Sequence, residues 1–154
     1  MGVGVIHIRP PGTSGMVLYT AGSSTSYPSH APDGIRLHFL GGAREVGNVG
    51  CIIEDRSGTK VLIDYGLAPT KPPKYPSEAP PVNHAIMTHA HIDHIGMAPW
   101  LTNHRTTLHG TELTAAVSEI MWADTYKVSD IEGYPLAWDK RDLEAALDSW
   151  VPHQ

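Results

Sequence analysis

From Ile35 onward, short segments rich in apolar residues are separated by glycine-rich or polar turns. These segments are I-R-L-H-F-L, V-G-C-I-I-E-D, K-V-L-I-D-Y-G and a further one from about Val82 to Thr88. Short apolar segments bounded by such turns are typical of successive strands. Residues 68–81 are dense in proline, so the sequence predicts a surface loop there.

Further along the chain, the spacing of apolar residues becomes helical. An amphipathic helix is predicted over residues 112–125, with apolar positions at Leu113, Ala116, Val117, Ile120 and Met121. A last helix is predicted from the capping residue Asp139, with an apolar stripe at Leu143, Ala146, Leu147 and Trp150. Strands first and helices later predict an α/β layered fold.

The first 34 residues differ in composition from the rest of the chain and are rich in glycine, serine and proline. Two short apolar pieces, at residues 3–8 and 16–20, are either strands or unordered. The sequence therefore divides into an N-terminal extension, residues 1–34, whose order stays open, and one domain over residues 35–154. A chain of 154 residues with 41% hydrophobic composition is sufficient for one core.

Charge and cysteine content narrow the class of protein. A net charge of -5 gives no electrostatic reason to expect that this stretch alone binds a polyanion. Cys51 is the only cysteine, which excludes an intrachain disulfide and a thiolate-rich zinc site. Neither a secretory signal nor an apolar run near the roughly 20 residues of a membrane span is visible. We therefore expect a soluble cytoplasmic protein without a membrane partner.

The segment T-H-A-H-I-D-H, from Thr88 to His94, contains the candidate metal ligands. Residues two apart in extended backbone point the same way, so His89 and His91 can reach one metal ion. Asp93 and His94 project elsewhere and suit a second ion, since imidazole and carboxylate both bind zinc at roughly 2.0–2.2 Å. Two adjacent cations lower the pKa of a coordinated water to near 7 and hold the oxygens of an ester during hydrolysis.

Other polar or flexible residues are interpreted structurally. Gly41, Gly42 and Gly47 lack both the dinucleotide fingerprint and the Walker lysine, and predict a tight strand connection near the site. Arg44 either meets a substrate phosphate or is solvated. His38 is predicted to lie on a strand at the core edge. The spacing of three further histidines does not support metal ligation; these are His84, His104 and His109. The tryptophans are expected to pack; they are Trp100, Trp122, Trp138 and Trp150.

Several of these segments resemble a known family. H-A-H-I-D-H resembles the H-x-H-x-D-H signature of the metallo-β-lactamase superfamily. G-G-A-R-E-V-G-N, L-I-D-Y-G and T-H-A-H-I-D-H-I-G resemble its β-CASP branch, which includes archaeal relatives of the cleavage and polyadenylation specificity factor and ribonuclease J. The resemblance implies a partial αββα sandwich, its N-terminal half, with a mixed sheet and flanking helices.

The same resemblance implies a set of site residues. His89 and His91 would bind one zinc ion, and Asp93 and His94 the other, giving two ions in a complete site. Asp64 would match the first family motif and orient a ligand imidazole. The catalytic carboxylates would then be Asp64 and Asp93. By itself, Asp64 could equally be a strand-ending residue that starts the turn before Gly66.

The resemblance also implies a function, although the sequence departs from the family pattern in its last residues. Family members are zinc-dependent ribonucleases acting on RNA, and they continue into a D-A-G-H segment, a bridging Asp and a late His. This chain ends before these motifs, and His153 does not stand in a D-A-G-H context. We therefore expect a truncated domain. Three hypotheses stay open: a chain derived from a ribonuclease; an incomplete metal- or partner-binding fragment, completed by a second copy or a missing C-terminal half; and a metallo-hydrolase of other substrates.

Overall fold

The apolar segments from Ile35 onward form strands in the computed structural model, which describes residues 4–8, 17–20, 34–134 and 136–154. In these ranges eight strands form one mixed sheet of order β2-β1-β3-β4-β5-β6-β7-β8. The strands are β1 Gly4–Ile8, β2 Val17–Thr20, β3 Ile35–Gly41, β4 Gly50–Glu54, β5 Lys60–Tyr65, β6 His84–Ile86, β7 Thr107–Gly110 and β8 Trp150–Pro152. The predicted α/β fold is confirmed.

Two of these strands lie within the predicted N-terminal extension. The apolar pieces of residues 3–8 and 16–20 contribute β1 and β2, which pair antiparallel with each other, and β1 pairs antiparallel with β3. The other residues up to 33 lie outside the described residues. The division at residues 34 and 35 stays a prediction.

The sheet changes direction at β5, and this change positions the site. Strands β1 to β5 pair antiparallel, whereas β5, β6, β7 and β8 run parallel to one another. The carboxyl ends of the parallel strands therefore meet at one edge of the sheet, which is where α/β sheets place their ligands. The H-x-H-x-D-H segment follows β6 at this edge.

The helices are α1 Ile92–Ile95, a 3-10 helix Ala98–His104, α2 Glu112–Glu132 and α3 Lys140–Asp148. The start predicted for the last helix is confirmed. The Asp139 carboxylate accepts hydrogen bonds from the backbone N–H groups of Arg141 and Asp142, and the Asp142 carboxylate accepts one from the N–H of Asp139. This reciprocal capping satisfies amide groups that the first turn leaves without helical partners. Among the described residues, no helix is both long and apolar enough to cross a bilayer.

The core lies between the helices and one face of the sheet. Its fully buried strand residues are Ile52, Leu62, Ala85 and Leu108. The indole N–H of Trp122 donates to the carbonyl of Ile95 at 2.8 Å, and that of Trp138 donates to the carbonyl of Gly96 at 2.8 Å. Trp100 and Trp150 are partly buried against the same cluster. The packing role predicted for the four tryptophans is confirmed.

The helix predicted over residues 112–125 is present and longer, but its apolar stripe does not face the core. Leu113 is 74% exposed and Ile120 is 67% exposed. Ala116 and Val117 are exposed as well, and only Met121 of the predicted stripe is partly buried. The buried positions of α2 are Thr114, Ser118 and Trp122. The Trp122 ring and its hydrogen bond set the rotation of the helix, and small side chains at 114 and 118 let α2 approach the core closely.

The opposite face of the sheet remains open among the described residues. Strand side chains alternate between faces, so the neighbours of the core residues point away from the helices. These neighbours are only partly buried and do not join the core cluster; they are Leu37, Phe39, Ile53, Val61 and Ile63. Ile86 and Val151 on the same face are each 41% exposed. An open apolar face of this kind is what half of a sandwich presents.

His38 lies deeper than its predicted position at the core edge. Its ring is fully buried, and its Nε2 lies 2.7 Å from the Glu54 carboxylate, which also contacts Arg36 at 3.8 Å. Burial lowers the pKa of His38 below its ordinary 6.5, although the Glu54 carboxylate acts in the opposite direction. The ring is therefore held neutral in the folded protein under conditions in which the unfolded chain begins to take up a proton.

This burial predicts an acid-sensitive contribution to stability. Because the unfolded chain binds more protons than the folded one, the contribution is complete above pH 6.5 and is lost as the pH falls toward the lower folded pKa. Between the two pKa values the loss is at most about 1.4 kcal/mol per pH unit. Urea unfolding at pH 7.5 and 5.5 should show a larger drop for the parent chain than for His38→Gln, whose amide donates without titrating. An equal drop in both proteins would contradict the prediction.

Candidate metal centre

Asp64 lies near the end of β5 in an uncommon backbone conformation. Its φ is 54°, in the left-handed region that aspartate tolerates better than most side chains. The residue is only 3% exposed. This turn of the backbone presents the carboxylate to the residues that follow β6, and strained positions of this kind persist where the surrounding structure fixes them.

The Asp64 carboxylate accepts hydrogen bonds from two residues of the H-x-H-x-D-H region. Its Oδ1 accepts from the backbone N–H of Thr88 at 2.8 Å. Its Oδ2 accepts from the Thr88 hydroxyl at 2.8 Å and from Nδ1–H of His94 at 2.8 Å. The carboxylate thus joins the start and the end of the motif.

These bonds also set the tautomers of two imidazoles. The single hydroxyl proton of Thr88 goes to Asp64, so its oxygen accepts from Nδ1–H of His89, which lies 2.9 Å away. His94 likewise uses its Nδ1–H toward Asp64. In the neutral form of either ring the proton then lies on Nδ1, and Nε2 carries the lone pair. A neutral imidazole with a free Nε2 is the form that binds a metal ion.

The motif side chains are gathered at the edge of the sheet. The ring centroids of His89 and His94 are 4.1 Å apart, and those of His89 and His91 are 4.6 Å apart. Asp93 places a carboxylate oxygen 3.7 Å from Nε2 of His94. His91 is exposed, and the other three residues are partly buried. All four predicted ligands therefore lie together, with Asp64 beneath them.

The backbone of the motif is tied to neighbouring segments. The carbonyl of Asp93 accepts from the N–H of Val49 at 2.9 Å, and the carbonyl of Ile92 accepts from the N–H of Leu67 at 3.1 Å. Gly66 packs directly against this turn, since a Cβ built there would lie 1.8 Å from the carbonyl oxygen of Asp93. The turn is thus held by contacts that leave no room for a side chain at residue 66.

The glycine-rich segment after β3 connects it to β4 near the site, as the sequence predicts, but over residues 42–49 rather than in a tight turn. Gly42 and Gly47 have φ values of 78° and 91°, which glycine adopts without strain. The connection leads to Val49, whose N–H contacts the motif turn. Arg44 in this connection is exposed, which is compatible with contact to a substrate phosphate and with simple solvation.

The chemistry of the four donors fits zinc, although their positions are not yet those of ligands around an ion. Imidazole nitrogens and one carboxylate are donors that zinc accepts, and the buried carboxylate behind them is a common outer partner of such ligands. In the described ranges, no three donor side chains are arranged so that they could hold one metal ion. The site therefore brings its donors together and fixes two tautomers, while binding requires further side-chain rotation.

Thr88 is the site residue that sequence reasoning left without a role. It stands directly before His89 at the end of an apolar strand, and a polar residue at that position is the only signal the sequence offers. The contacts shown for the other three histidines considered in the sequence are with residues outside the motif. His104 packs its ring on Trp100, with centroids 4.9 Å apart, and His84 and His109 contact each other.

The Thr88 contacts predict a test of the site. Thr88→Val keeps the shape of the side chain but removes the hydroxyl that links Asp64 and His89. We expect zinc affinity to fall about 10-fold to 100-fold, the usual range for loss of an outer partner. Isothermal titration with zinc measures the change, and Thr88→Ser should restore most of the affinity. Equal affinities of the parent chain and Thr88→Val would contradict this role.

Comparison with known proteins finds one family and several relatives. The family model described as the Metallo-beta-lactamase superfamily matches residues 44–152. "Transcription termination factor FttA" of Lokiarchaeum sp. (strain GC14_75) is 32% identical over 127 residues, which are 77% of this chain and 20% of that protein. "Cleavage and polyadenylation specificity factor 73" of Drosophila melanogaster is 28% identical over 130 residues, 79% of this chain and 19% of that protein.

A further relative is named as an enzyme. "RNase aCSPSF2" of Saccharolobus solfataricus is 32% identical over 121 residues, 75% of this chain and 24% of that protein. The chain thus spans about a fifth to a quarter of the length of these curated relatives.

Proposed function

Because this chain belongs to the metallo-β-lactamase superfamily, we propose that it is a zinc-dependent hydrolase, derived from a ribonuclease, that cleaves RNA phosphodiester bonds. The observation that carries the proposal is the buried Asp64 carboxylate, which holds Thr88 and His94 at 2.8 Å. Through them it engages Nδ1 of two imidazoles, which lie beside a third imidazole and a carboxylate.

The proposed ligands are those that the motif spacing and the family resemblance predict, and the proximity of their side chains supports them. His89 and His91 would hold one zinc ion, and Asp93 and His94 would hold the other. The two cations, when bound, supply an activated water and neutralise charge on the phosphoryl oxygens. Asp64 acts through its hydrogen bonds, since it keeps the Nδ1 proton on His94 and thereby fixes that ring.

RNA is proposed as the substrate because of the names of similar proteins. One similar protein is named an RNase and another a cleavage and polyadenylation specificity factor. The exposed Arg44 lies on the connection that leads to Val49 and the motif turn, which suits contact with a substrate phosphate. The single cysteine fits a cytoplasmic location, which is part of the proposal.

RNA cleavage by the purified chain with added zinc tests the proposal. We expect cleavage of a labelled RNA and loss of at least about 100-fold in rate in the His89→Ala, His91→Ala double variant, because the activated water depends on the ions. His104→Gln is the matched control, since it removes an imidazole outside the motif. A thioester and a lactam assayed alongside identify other hydrolase classes. Hydrolysis of one of these without RNA cleavage would contradict the RNA substrate.

A second candidate is a metal-binding half that works only with further polypeptide. The open sheet face and the exposed stripe of α2 favour it, because a monomer rarely leaves apolar surface of this extent in water. The isolated chain would then self-associate and hydrolyse none of the three substrates. Light scattering coupled to size-exclusion chromatography measures the association. A monodisperse monomer that cleaves RNA would contradict this candidate.

A further inference from the structure

Three histidines outside the motif form a line across the parallel strands. His84 begins β6, His109 lies in β7, and His153 follows β8. His84 Nδ1 lies 3.0 Å from His109 Nε2, and His109 Nδ1 lies 2.9 Å from His153 Nε2. No local pattern groups these residues, since positions 84, 109 and 153 are distant along the chain.

The sheet register holds the three rings on its open face. His109 is opposite Ile86 on one side and Val151 on the other, while its neighbour Leu108 is fully buried in the core. The backbone N–H of His153 donates to the carbonyl of Gly110 at 2.8 Å, which fixes the end of the chain beside β7. The spacing of the rings is therefore set by strand pairing.

The surroundings of the rings suit a ligand role. His84 and His153 are exposed, and His109 is partly buried. In the part of the chain that the structure describes, the polar contacts of these side chains are with one another. Burial lowers the pKa of His109, and the neighbouring His84 and His153 lower it further. The central ring thus favours the neutral form, which binds metal ions.

The distances match those between two ligands of one ion. Nitrogens bound at about 2.0–2.1 Å and at right angles to each other are about 3 Å apart. Each gap now holds a hydrogen bond. An ion that replaces its proton lies off the line between the two nitrogens, because two bonds of about 2 Å cannot fit end to end in this gap, so the paired rings must tilt toward it. Because His109 uses both ring nitrogens, each nitrogen can pair with only one neighbour. A site of three imidazoles therefore needs one outer ring to turn, consistent with the lack of a preformed three-donor group among the described residues.

We propose that His84, His109 and His153 form a second metal site, separate from the H-x-H-x-D-H motif, for a divalent transition-metal ion. The donor set is imidazole alone, without a carboxylate or thiolate, which selects Cu²⁺, Ni²⁺ and Zn²⁺ over Mg²⁺ and Ca²⁺. His109 is the shared ligand. A bound ion links β6, β7 and the end of β8, and so stabilises this side of the sheet.

Titration with Cu²⁺ and Ni²⁺ tests the site in the His89→Ala, His91→Ala background, which disables the motif. We expect one ion per chain and a Cu²⁺ resonance spectrum with nitrogen couplings from two or three imidazoles. Adding His109→Ala should weaken binding on the order of 100-fold, whereas His84→Ala or His153→Ala leaves one pair and weakens it on the order of 10-fold.

Thr107→Ala is the matched control, because Thr107 lies on the same face of β7 without a metal-binding group. It should bind as tightly as the parent chain, and circular dichroism should show that all variants keep their secondary structure. Equal metal binding by folded His109→Ala and the parent chain, or a spectrum without imidazole couplings, would overturn the proposal. The background removes the motif ligands, so either result leaves the proposed hydrolase function untouched.

Discussion

Trp122→Ala is expected to lower the free energy of unfolding by about 3–5 kcal/mol, the usual cost of removing a large aromatic side chain from a core. The Trp122 side chain is fully buried on α2, and its ring centroid lies 6.4 Å from that of Trp150. Its indole N–H donates to the carbonyl of Ile95 at 2.8 Å, so the substitution also leaves a buried acceptor without its donor. Urea unfolding followed by circular dichroism measures the loss.

Leu113→Ala on the same helix is the control for this substitution. Leu113 is 74% exposed, so its truncation should change the unfolding free energy by less than about 0.5 kcal/mol. The apolar spacing of the sequence alone makes the opposite prediction for Leu113. A large loss for Leu113→Ala together with a small one for Trp122→Ala would show that α2 is rotated from its position in this structure.

Gly66→Ala is expected to destabilise the fold by about 3 kcal/mol or more and to abolish tight zinc binding, because the added methyl group overlaps backbone. The new Cβ would lie 1.8 Å from the carbonyl oxygen of Asp93 and 2.5 Å from the backbone nitrogen of His94. The motif turn must move, and it takes two predicted ligands with it. Thermal unfolding and zinc titration measure the two effects separately.

Gly58→Ala separates this overlap from a general effect of replacing glycine. Gly58 has a φ of 84° in a turn where an added Cβ meets no atom within 4 Å. Its substitution should cost only about 1 kcal/mol of backbone strain and leave zinc affinity unchanged. Similar losses of stability and zinc affinity in the two variants would contradict the close packing assigned to Gly66.

The sequence was sufficient for the four strands from Ile35 to Ile86 and for the cap at Asp139, because both depend on local patterns. It did not predict β7 or β8, and Trp150, which was expected on the stripe of the last helix, lies in β8. Short apolar segments between turns predict strands directly, and a capping box lies within one turn. The family resemblance is also confirmed, since the superfamily match and relatives such as RNase aCSPSF2 agree with the branch expected from the motifs. The H-x-H-x-D-H pattern that begins at His89 predicts the superfamily, and the branch also depends on the G-G-A-R-E-V-G-N and L-I-D-Y-G segments.

The orientation of α2 could not be predicted from its own residues. Apolar spacing identifies a stripe, but which stripe is buried depends on distant partners, here the Ile95 carbonyl and the Trp150 ring. The exposed stripe of Leu113 and Ile120 therefore looks like a core face in the sequence. Tertiary contacts outweigh local periodicity in this element.

The sequence predicted which residues belong to the candidate site, but it did not predict the contacts between them. The motif predicted four donors and the family resemblance predicted Asp64, whereas the place of Thr88 between Asp64 and His89 depends on how β5 and β6 pair. The line of His84, His109 and His153 depends in the same way on the parallel register of three strands. Contacts between strands that are distant in sequence leave no local pattern to detect.

Equilibrium dialysis against zinc tests the central claim, that the motif side chains bind metal, most directly. Both proteins compared should carry His109→Ala, so that the second proposed site does not contribute. We expect the chain with an intact motif to retain zinc and the chain that also carries His89→Ala and His91→Ala to lose it, with equal secondary structure in both. Equal zinc retention by the two proteins would contradict the account.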